Sequence, residues 1–273
     1  MSKLPIGIQL YSVRDAMDAD FAGTLKELKK MGYDAVEFAG LFNHTAEQVK
    51  AMCDEAGLIP ISAHVGRGVI MQDVEKVVGD YAKIGCKYMA IPSASADKEL
   101  PGAPGYEEFL ADIRTISAEC KKYGMKLLYH NHDFEFVKID GKNKLDILYA
   151  DTTPDELCTQ IDTCWAKVGG EDPAKYVLKY SGRAPLVHIK DFVGSKSAKM
   201  YDLIDGGEVK EEEPVARFEL RPVGYGIQDV LSIFKASEAA GAEMLIVEED
   251  SPALGRTSME CAKLSIDYIK TIY

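Results

Sequence analysis

Short apolar runs alternate with segments of helical spacing along the whole chain. The runs fall at 6–11, 35–38, 58–63, 88–91, 125–129, 157–161, 186–189 and 244–247. All are strand-sized, and most are apolar on both faces, as strands of a parallel sheet covered on both sides must be. Between them, apolar residues recur three and four positions apart. Phe21, Leu25 and Leu28 make one such stripe; Val49, Met52, Cys53 and Ala56 a second; Val74, Val77, Val78 and Tyr81 a third. Phe109, Ile113, Ile116 and Cys120 continue the series, then Ile227, Val230, Leu231 and Phe234, then Cys261, Leu264 and Tyr268. Each stripe marks the buried face of a helix. The fifth helix has the thinnest pattern, at 145–149. Gly32, Gly57, Gly85, Gly124 and Gly241 each stand between a helix and the next strand, where a left-handed cap is wanted.

Eight strand–helix units without an internal linker predict an α/β fold, a single (β/α)8 TIM barrel occupying residues 1–273 as one domain. An open doubly wound sheet is disfavoured, because no glycine-rich phosphate turn follows the first strand. One stretch breaks the rhythm. Residues 192–222, after the seventh strand, form a long loop on the side where barrels carry their chemistry. Its charge run at 208–213 reads as solvated surface or as part of an active-site loop.

Composition then narrows the partners. Of 273 residues, 47% are hydrophobic and 28% charged, ordinary for a globular protein. Against 44 Asp and Glu stand 32 Lys and Arg, a net charge of −12. That charge opposes phosphate backbones and anionic lipid, and says nothing against a small sugar or polyol held in a cleft. No apolar run is long enough to span a bilayer, and the first residues lack a signal-peptide pattern. Six scattered cysteines without a CxxC pair read as reduced thiols. Together these predict a cytoplasmic protein with no nucleic-acid or membrane partner. Homo- and hetero-oligomers both stay open.

In a barrel of this kind, catalytic groups gather at the C-terminal ends of the strands. Following each run to its end meets Gln9 and Tyr11, Glu37, His64, His130 and His132, Asp162, His188 and Lys190, and Glu248. Four of the chain's five histidines are among them, a concentration that random placement would not produce. Each residue also has a bland reading. His64 could be a satisfied core histidine, Asp162 a helix N-cap, and Glu249 and Asp250 solvated charges. His130 and His132 share one side of a strand, as do His188 and Lys190, because residues two apart face the same way. A histidine, an aspartate and a glutamate from separate strand ends make a mixed N/O site suited to one divalent metal ion (Mn2+, Zn2+, Mg2+ or Co2+). Such an ion can grip two oxygens of a hydroxy-carbonyl sugar and stabilise an enediolate. A nearby carboxylate or imidazole takes the proton, and Lys190 neutralises the developing oxyanion.

Five stretches carry a family likeness: Ile8-Gln9-Leu10-Tyr11-Ser12-Val13-Arg14-Asp15, Tyr129-His130-Asn131-His132-Asp133-Phe134-Glu135-Phe136, Ile161-Asp162-Thr163-Cys164-Trp165-Ala166, Val187-His188-Ile189-Lys190-Asp191 and Val247-Glu248-Glu249-Asp250. In order, and over essentially the full length, they resemble the sugar phosphate isomerase/epimerase superfamily, the xylose-isomerase-like or AP-endonuclease-2-like TIM barrels. The resemblance implies a metal site of Glu, Asp, His and Glu from four strands. Asp162, His188 and Glu248 match the last three. Where many relatives carry Glu-Asn-His, this chain has His130-Asn131-His132. Either His130 takes the first ligand position, or Glu135 folds back to it.

The resemblance further implies a metal-dependent sugar isomerase or epimerase that abstracts a proton α to a carbonyl. His132, Glu135 and Lys190 become its acid/base and oxyanion groups, Glu37 and His64 its contacts to substrate hydroxyls, and Trp165 a stacking surface for a sugar face. The missing glutamate points toward a second outcome, β-elimination, as in the branch resembling inosose dehydratases and enzymes of 3-keto sugars and C-glycosides. A non-catalytic sugar-binding subunit is a further alternative. A DNA-repair nuclease, suggested by the fold shared with endonuclease IV, is opposed by the −12 charge.

Overall fold

A computed structural model describes residues 3–196 and 218–273. Eight parallel strands close a barrel: β1 (Ile6–Gln9), β2 (Ala35–Phe38), β3 (Ile59–His64), β4 (Tyr88–Ile91), β5 (Lys126–His130), β6 (Cys158–Asp162), β7 (Leu186–Ile189) and β8 (Met244–Val247). Every predicted run overlaps one of them, and β3, β5 and β6 each extend one residue past theirs. Each strand pairs with the next in sequence, and β8 closes on β1 with Ile6 opposite Leu245 and Ile8 opposite Val247. The first strand stops short of its predicted run. The Gln9 side chain accepts from Tyr11 N at 3.0 Å and turns the chain into the 3-10 helix Leu10–Val13.

Side chains alternate between the two faces of each strand, and the two faces have different tasks. Tyr88, Ala90, Leu128, Cys158, Leu186, Met244 and Ile246 join in an apolar plug inside the barrel. Two positions further along the same face come His130, Gln160, His188 and Glu248, so the plug becomes the floor of a polar layer. The outward positions, among them Ile8, Val36, Met89, Tyr129, Ile161, Val187 and Leu245, pack under the helices in the main core. Each such aliphatic side chain contributes about 1.5–3 kcal/mol by leaving water.

The helices follow the predicted stripes and their caps. Thr45 and Gln48 form a reciprocal capping box that starts Ala46–Ala56, and Gly57 ends it at φ 71°. The thin fifth pattern is a helix, Lys144–Ala150, burying Leu145, Leu148 and Tyr149. One stripe is corrected. Asp229 accepts from Ser232 N and starts the next helix at Val230. Its buried face is then Val230, Ile233, Phe234 and Ser237, while Ile227 and Leu231 are exposed.

The predicted loop at 192–222 is also corrected at both ends. Asp191–Val193 pairs antiparallel with Glu219–Arg221 in a short ribbon; the charge run at 208–213 lies outside the described residues. The Asp191 carboxylate ties the returning chain to the barrel, accepting from Phe192 N, Gly224 N, Gly226 N and Gln228 N. Position 226 must be glycine for this, because a Cβ there would sit 2.1 Å from Asp191 Oδ1. All six cysteines are buried and free. Among the described residues, no helix is long and apolar enough to cross a membrane.

Candidate metal centre and substrate cavity

The strand ends bring most of the singled-out residues into one layer. The ligand atoms of His130, Asp162, His188 and Glu248 lie within 4.8 Å of one another. Asp162 does two things at once. Its Oδ1 accepts from Trp165 N at 2.9 Å and caps the helix Thr163–Val168. Its Oδ2 is buried with no hydrogen-bond donor, facing Lys190 Nζ at 3.4 Å and His130 Nε2 at 3.8 Å. Asn131 holds the backbone in place, accepting from Asp162 N at 3.0 Å and donating to Asp162 O at 3.3 Å.

His188 bridges two carboxylates, with Nδ1 2.9 Å from Glu248 Oε2 and Nε2 2.8 Å from Glu37 Oε1. Burial works to lower its pKa, but Glu37 and Glu248 outweigh burial and raise it to about 10. It is therefore an imidazolium that must release a proton before it can ligate a metal. Lys190 is fully buried, with Nζ 3.0 Å from both Glu248 Oε2 and Asp250 Oδ2. Burial opposes its charge too, yet Asp250, Glu248 and Asp162 raise its pKa well above the ordinary value. Asp250 itself is pushed up by burial to about 6.

His130 and His132 are neutral. Burial, then His188, holds His130 well below the usual histidine range. Burial, then Lys190, lowers His132 to about 3. Four carboxylates thus face two cations, and the surplus has the sign and about the size that one divalent ion neutralises. The donor set, the buried and donorless Asp162 oxygen and this charge imbalance all fit such an ion.

Above the layer opens a cavity of about 390 Å³, lined among others by Tyr11, His64, His130, His132, Lys190 and Glu248. Three of the expected site residues, Glu37, Trp165 and Glu135, lie off this cavity. Glu37 is wholly buried and is not among the residues that line this cavity. It accepts from Gln9 Nε2 at 2.8 Å, Gln160 Nε2 at 2.5 Å and Ser62 Oγ, and it faces His64 Nε2 at 3.0 Å. Although burial works to raise its pKa, His64 and His188 hold it well below the carboxylate range. Glu37 orients the two histidines from beneath. Trp165, expected to stack on a sugar, is wholly buried. Its ring lies between Phe218 at 5.5 Å and His132 at 5.6 Å, with Lys190 Nζ 5.3 Å from its centre.

Glu135 is neither near the ligands nor on the cavity. Its Oε1 accepts from the outward-facing Tyr129 hydroxyl at 2.6 Å and its Oε2 from His132 N at 2.9 Å. It does not fold back to the first ligand position. Burial raises this carboxyl to about 8 from the ordinary 4.5. The fold therefore keeps a proton that the unfolded chain releases between pH 4.5 and about 8, so stability falls as pH rises across that window and levels off above it. Glu135→Gln keeps an oxygen that accepts from His132 N, turns an amide donor toward the Tyr129 hydroxyl oxygen, and removes the titration. The melting-temperature gain of the variant should grow from pH 5 to pH 8. A gain independent of pH would refute this account of Glu135.

Sequence reasoning missed Gln160 and Ser62, and left Asp250 as surface charge. Gln160 had a signal, lying two residues before Asp162 and hence on its face. Asp250 is buried with Glu248 and Glu249, which the acidic run Glu248-Glu249-Asp250 gave no reason to expect.

Comparison with known proteins places this arrangement in context. The profile of the xylose isomerase-like TIM barrel family matches residues 25–271. Inosose dehydratase of Geobacillus kaustophilus (strain HTA426) is 25% identical over 270 residues, covering 90% of this chain and 85% of its own. A sugar phosphate isomerase/epimerase from Parabacteroides distasonis ATCC 8503 superposes with a TM-score of 0.74 at 22% identity, over 99% of this chain and 94% of its own. An L-ribulose 3-epimerase does so with a TM-score of 0.70 at 17% identity, over 98% and 94%. At such identities the superpositions speak for the barrel alone; the profile, covering most of the sequence, says more. The chain belongs to the xylose isomerase-like TIM barrel family.

Proposed function

We propose that the protein is an enzyme that removes a proton from the carbon next to the carbonyl of a sugar, polyol or keto-glycoside. The observation that carries this reading is a neutral imidazole, His132, and a buried ammonium, Lys190, lining one cavity beside four grouped metal-ligand candidates. His130, Asp162, His188 and Glu248 would hold one divalent ion, which supplies Lewis-acid polarisation of the substrate carbonyl when bound. His132 takes the proton; it is the imidazole that burial keeps unprotonated at neutral pH. Lys190 donates toward the oxygen on which negative charge develops, held in position by Asp250. Glu37 and Gln160 hold His64 at the cavity edge, where its ring meets substrate hydroxyls.

Two outcomes share this step. Returning the proton to a neighbouring carbon gives the isomer or epimer expected from sequence. Expelling a β-hydroxyl or aglycone gives an elimination. We favour elimination, because the site offers an imidazole base and an ammonium acid of different kinds where two-base epimerisation needs a matched pair. The likeness to an inosose dehydratase supports the same choice. A neutral sugar-like partner and a cytoplasmic setting belong to this reading.

A panel of cyclic keto-polyols and 3-keto-glycosides, each deuterated next to the ketone, tests it. The expected product has lost its deuterium to solvent together with water or the aglycone. A product isomeric with its substrate would establish isomerisation instead. Turnover with the deuterium kept in place would exclude proton abstraction altogether.

A further inference from the structure

Two donor sets overlap in the polar layer, and the second bears on the class of ion. Besides His130, Asp162, His188 and Glu248, the ligand atoms of His64, His130 and His188 also lie within 4.8 Å of one another. His130 and His188 belong to both sets. An ion held by that shared pair has carboxylates as one group of neighbours and a third imidazole within reach. The rings are packed accordingly. His64 lies parallel to His188, with centroids 5.2 Å apart and an angle of 8°. His130 stands steeply to both, at 4.8 Å from His64 and 4.6 Å from His188.

The three rings differ in how firmly they are tied. Glu37 Oε1 sits 3.0 Å from His64 Nε2 and 2.8 Å from His188 Nε2, fixing the stacked pair. His130 has no such tether: it is nearly fully buried, and its Nδ1 has no hydrogen-bond partner. An imidazole buried without partners is costly unless something else engages the ring. Hard ions such as Mg2+ take oxygen ligands and give up their water reluctantly. Imidazole nitrogen favours later first-row ions, with affinity rising from Mn2+ through Co2+.

We propose that this centre selects an imidazole-preferring transition ion, of the Zn2+ or Co2+ class, over Mg2+ and Mn2+. His130 sets the preference, and His64 is the third imidazole available to the ion. The proposal rests on the metal reading made under Proposed function and narrows it.

The test uses the full chain, stripped with a chelator and titrated with Co2+ while its visible absorption is followed. Co2+ should bind with a hundredfold excess of Mg2+ present and no loss of absorption. His130→Glu replaces a nitrogen by an oxygen and should narrow the Co2+-over-Mn2+ preference at least tenfold. His64→Gln, whose amide can still donate to Glu37, should alter the Co2+ spectrum and weaken Co2+ binding about tenfold. An unchanged preference in His130→Glu, or an unchanged spectrum and affinity in His64→Gln, overturns the proposal. Mg2+ or Mn2+ binding as tightly as Co2+ defeats the selectivity while leaving a metal centre. If none of these ions binds, the metal reading falls with it.

Discussion

Replacing Asp162 with Asn is expected to abolish binding of the divalent ion proposed for this centre and to lower kcat/KM about a thousandfold, with the barrel still folded. A thousandfold is about 4 kcal/mol of transition-state stabilisation, the scale that a Lewis-acid ion supplies. The substitution is chosen because Asp162 has separable tasks. An asparagine oxygen can still accept from Trp165 N, as Oδ1 does at 2.9 Å, so the cap on Thr163–Val168 survives. What disappears is the negative charge facing Lys190 and His130. Asp162→Ala should lose the cap as well, and cost roughly a further 1 kcal/mol of stability. Metal content after dialysis and kinetics on the substrate found by the deuterium experiment check both parts. Wild-type metal content with near-wild-type turnover in Asp162→Asn would remove Asp162 from the centre.

Lys190→Met should produce the largest loss of stability of any single change in the polar layer. The ammonium is within 3.4 Å of Asp162, Glu248 and Asp250, and all three carboxylates are buried. Removing one member of such a buried set costs about 3–5 kcal/mol, since Asp162 and Asp250 lose the ammonium they share and Glu248 is left with His188. For a chain of this size that corresponds to a fall in melting temperature on the order of 10 °C. The pH dependence carries the diagnosis. Asp250 already has its pKa raised to about 6 beside the ammonium; without Lys190 the carboxylates hold their protons to still higher pH. A carboxyl whose folded pKa is raised stabilises the fold less as pH rises through the window between its unfolded and folded values. The deficit of Lys190→Met should therefore be largest above pH 7 and shrink toward pH 5. Thermal unfolding of both proteins from pH 5 to 8 decides it: a deficit of constant size would mean that lost packing, not unpaired charge, is responsible.

Much of this centre was legible before any coordinates. Asp162 and Glu248 directly follow an apolar run and His188 is the last residue but one of another, and a parallel strand buried on both faces leaves little room for a polar group except near its end. The step of two between His188 and Lys190 placed both on the inner side. His130 was open to doubt because the neighbouring Glu135 offered an alternative ligand. The chain resolves this through Tyr129, whose hydroxyl draws Glu135 toward the outer layer. Nothing in Tyr129-His130-Asn131-His132-Asp133-Phe134-Glu135 signals that capture, because it depends on the turn that follows β5. The burial of Glu37 and Trp165 was hidden for a related reason. Both lie where substrate contacts are expected, but their depth is set by neighbours from distant strands, Gln160 and Ser62 for Glu37 and Phe218 for Trp165.

The sequence by itself determined the barrel, its strand limits to within a few residues, and which side chains stand at the strand ends. Those features depend on local period, on glycine and capping chemistry and on the burial of both sheet faces, all of which act within a few residues along the chain. The tertiary structure alone decided who touches whom. Closing β8 onto β1 brings Glu37, His64 and His188 to one point, although 151 residues separate the first from the last. The reason is dielectric as much as geometric. Whether a histidine is an imidazolium, as His188 is, or a neutral ring, as His130 is, depends on which charges share its buried surroundings, and that company is assembled only when the barrel closes.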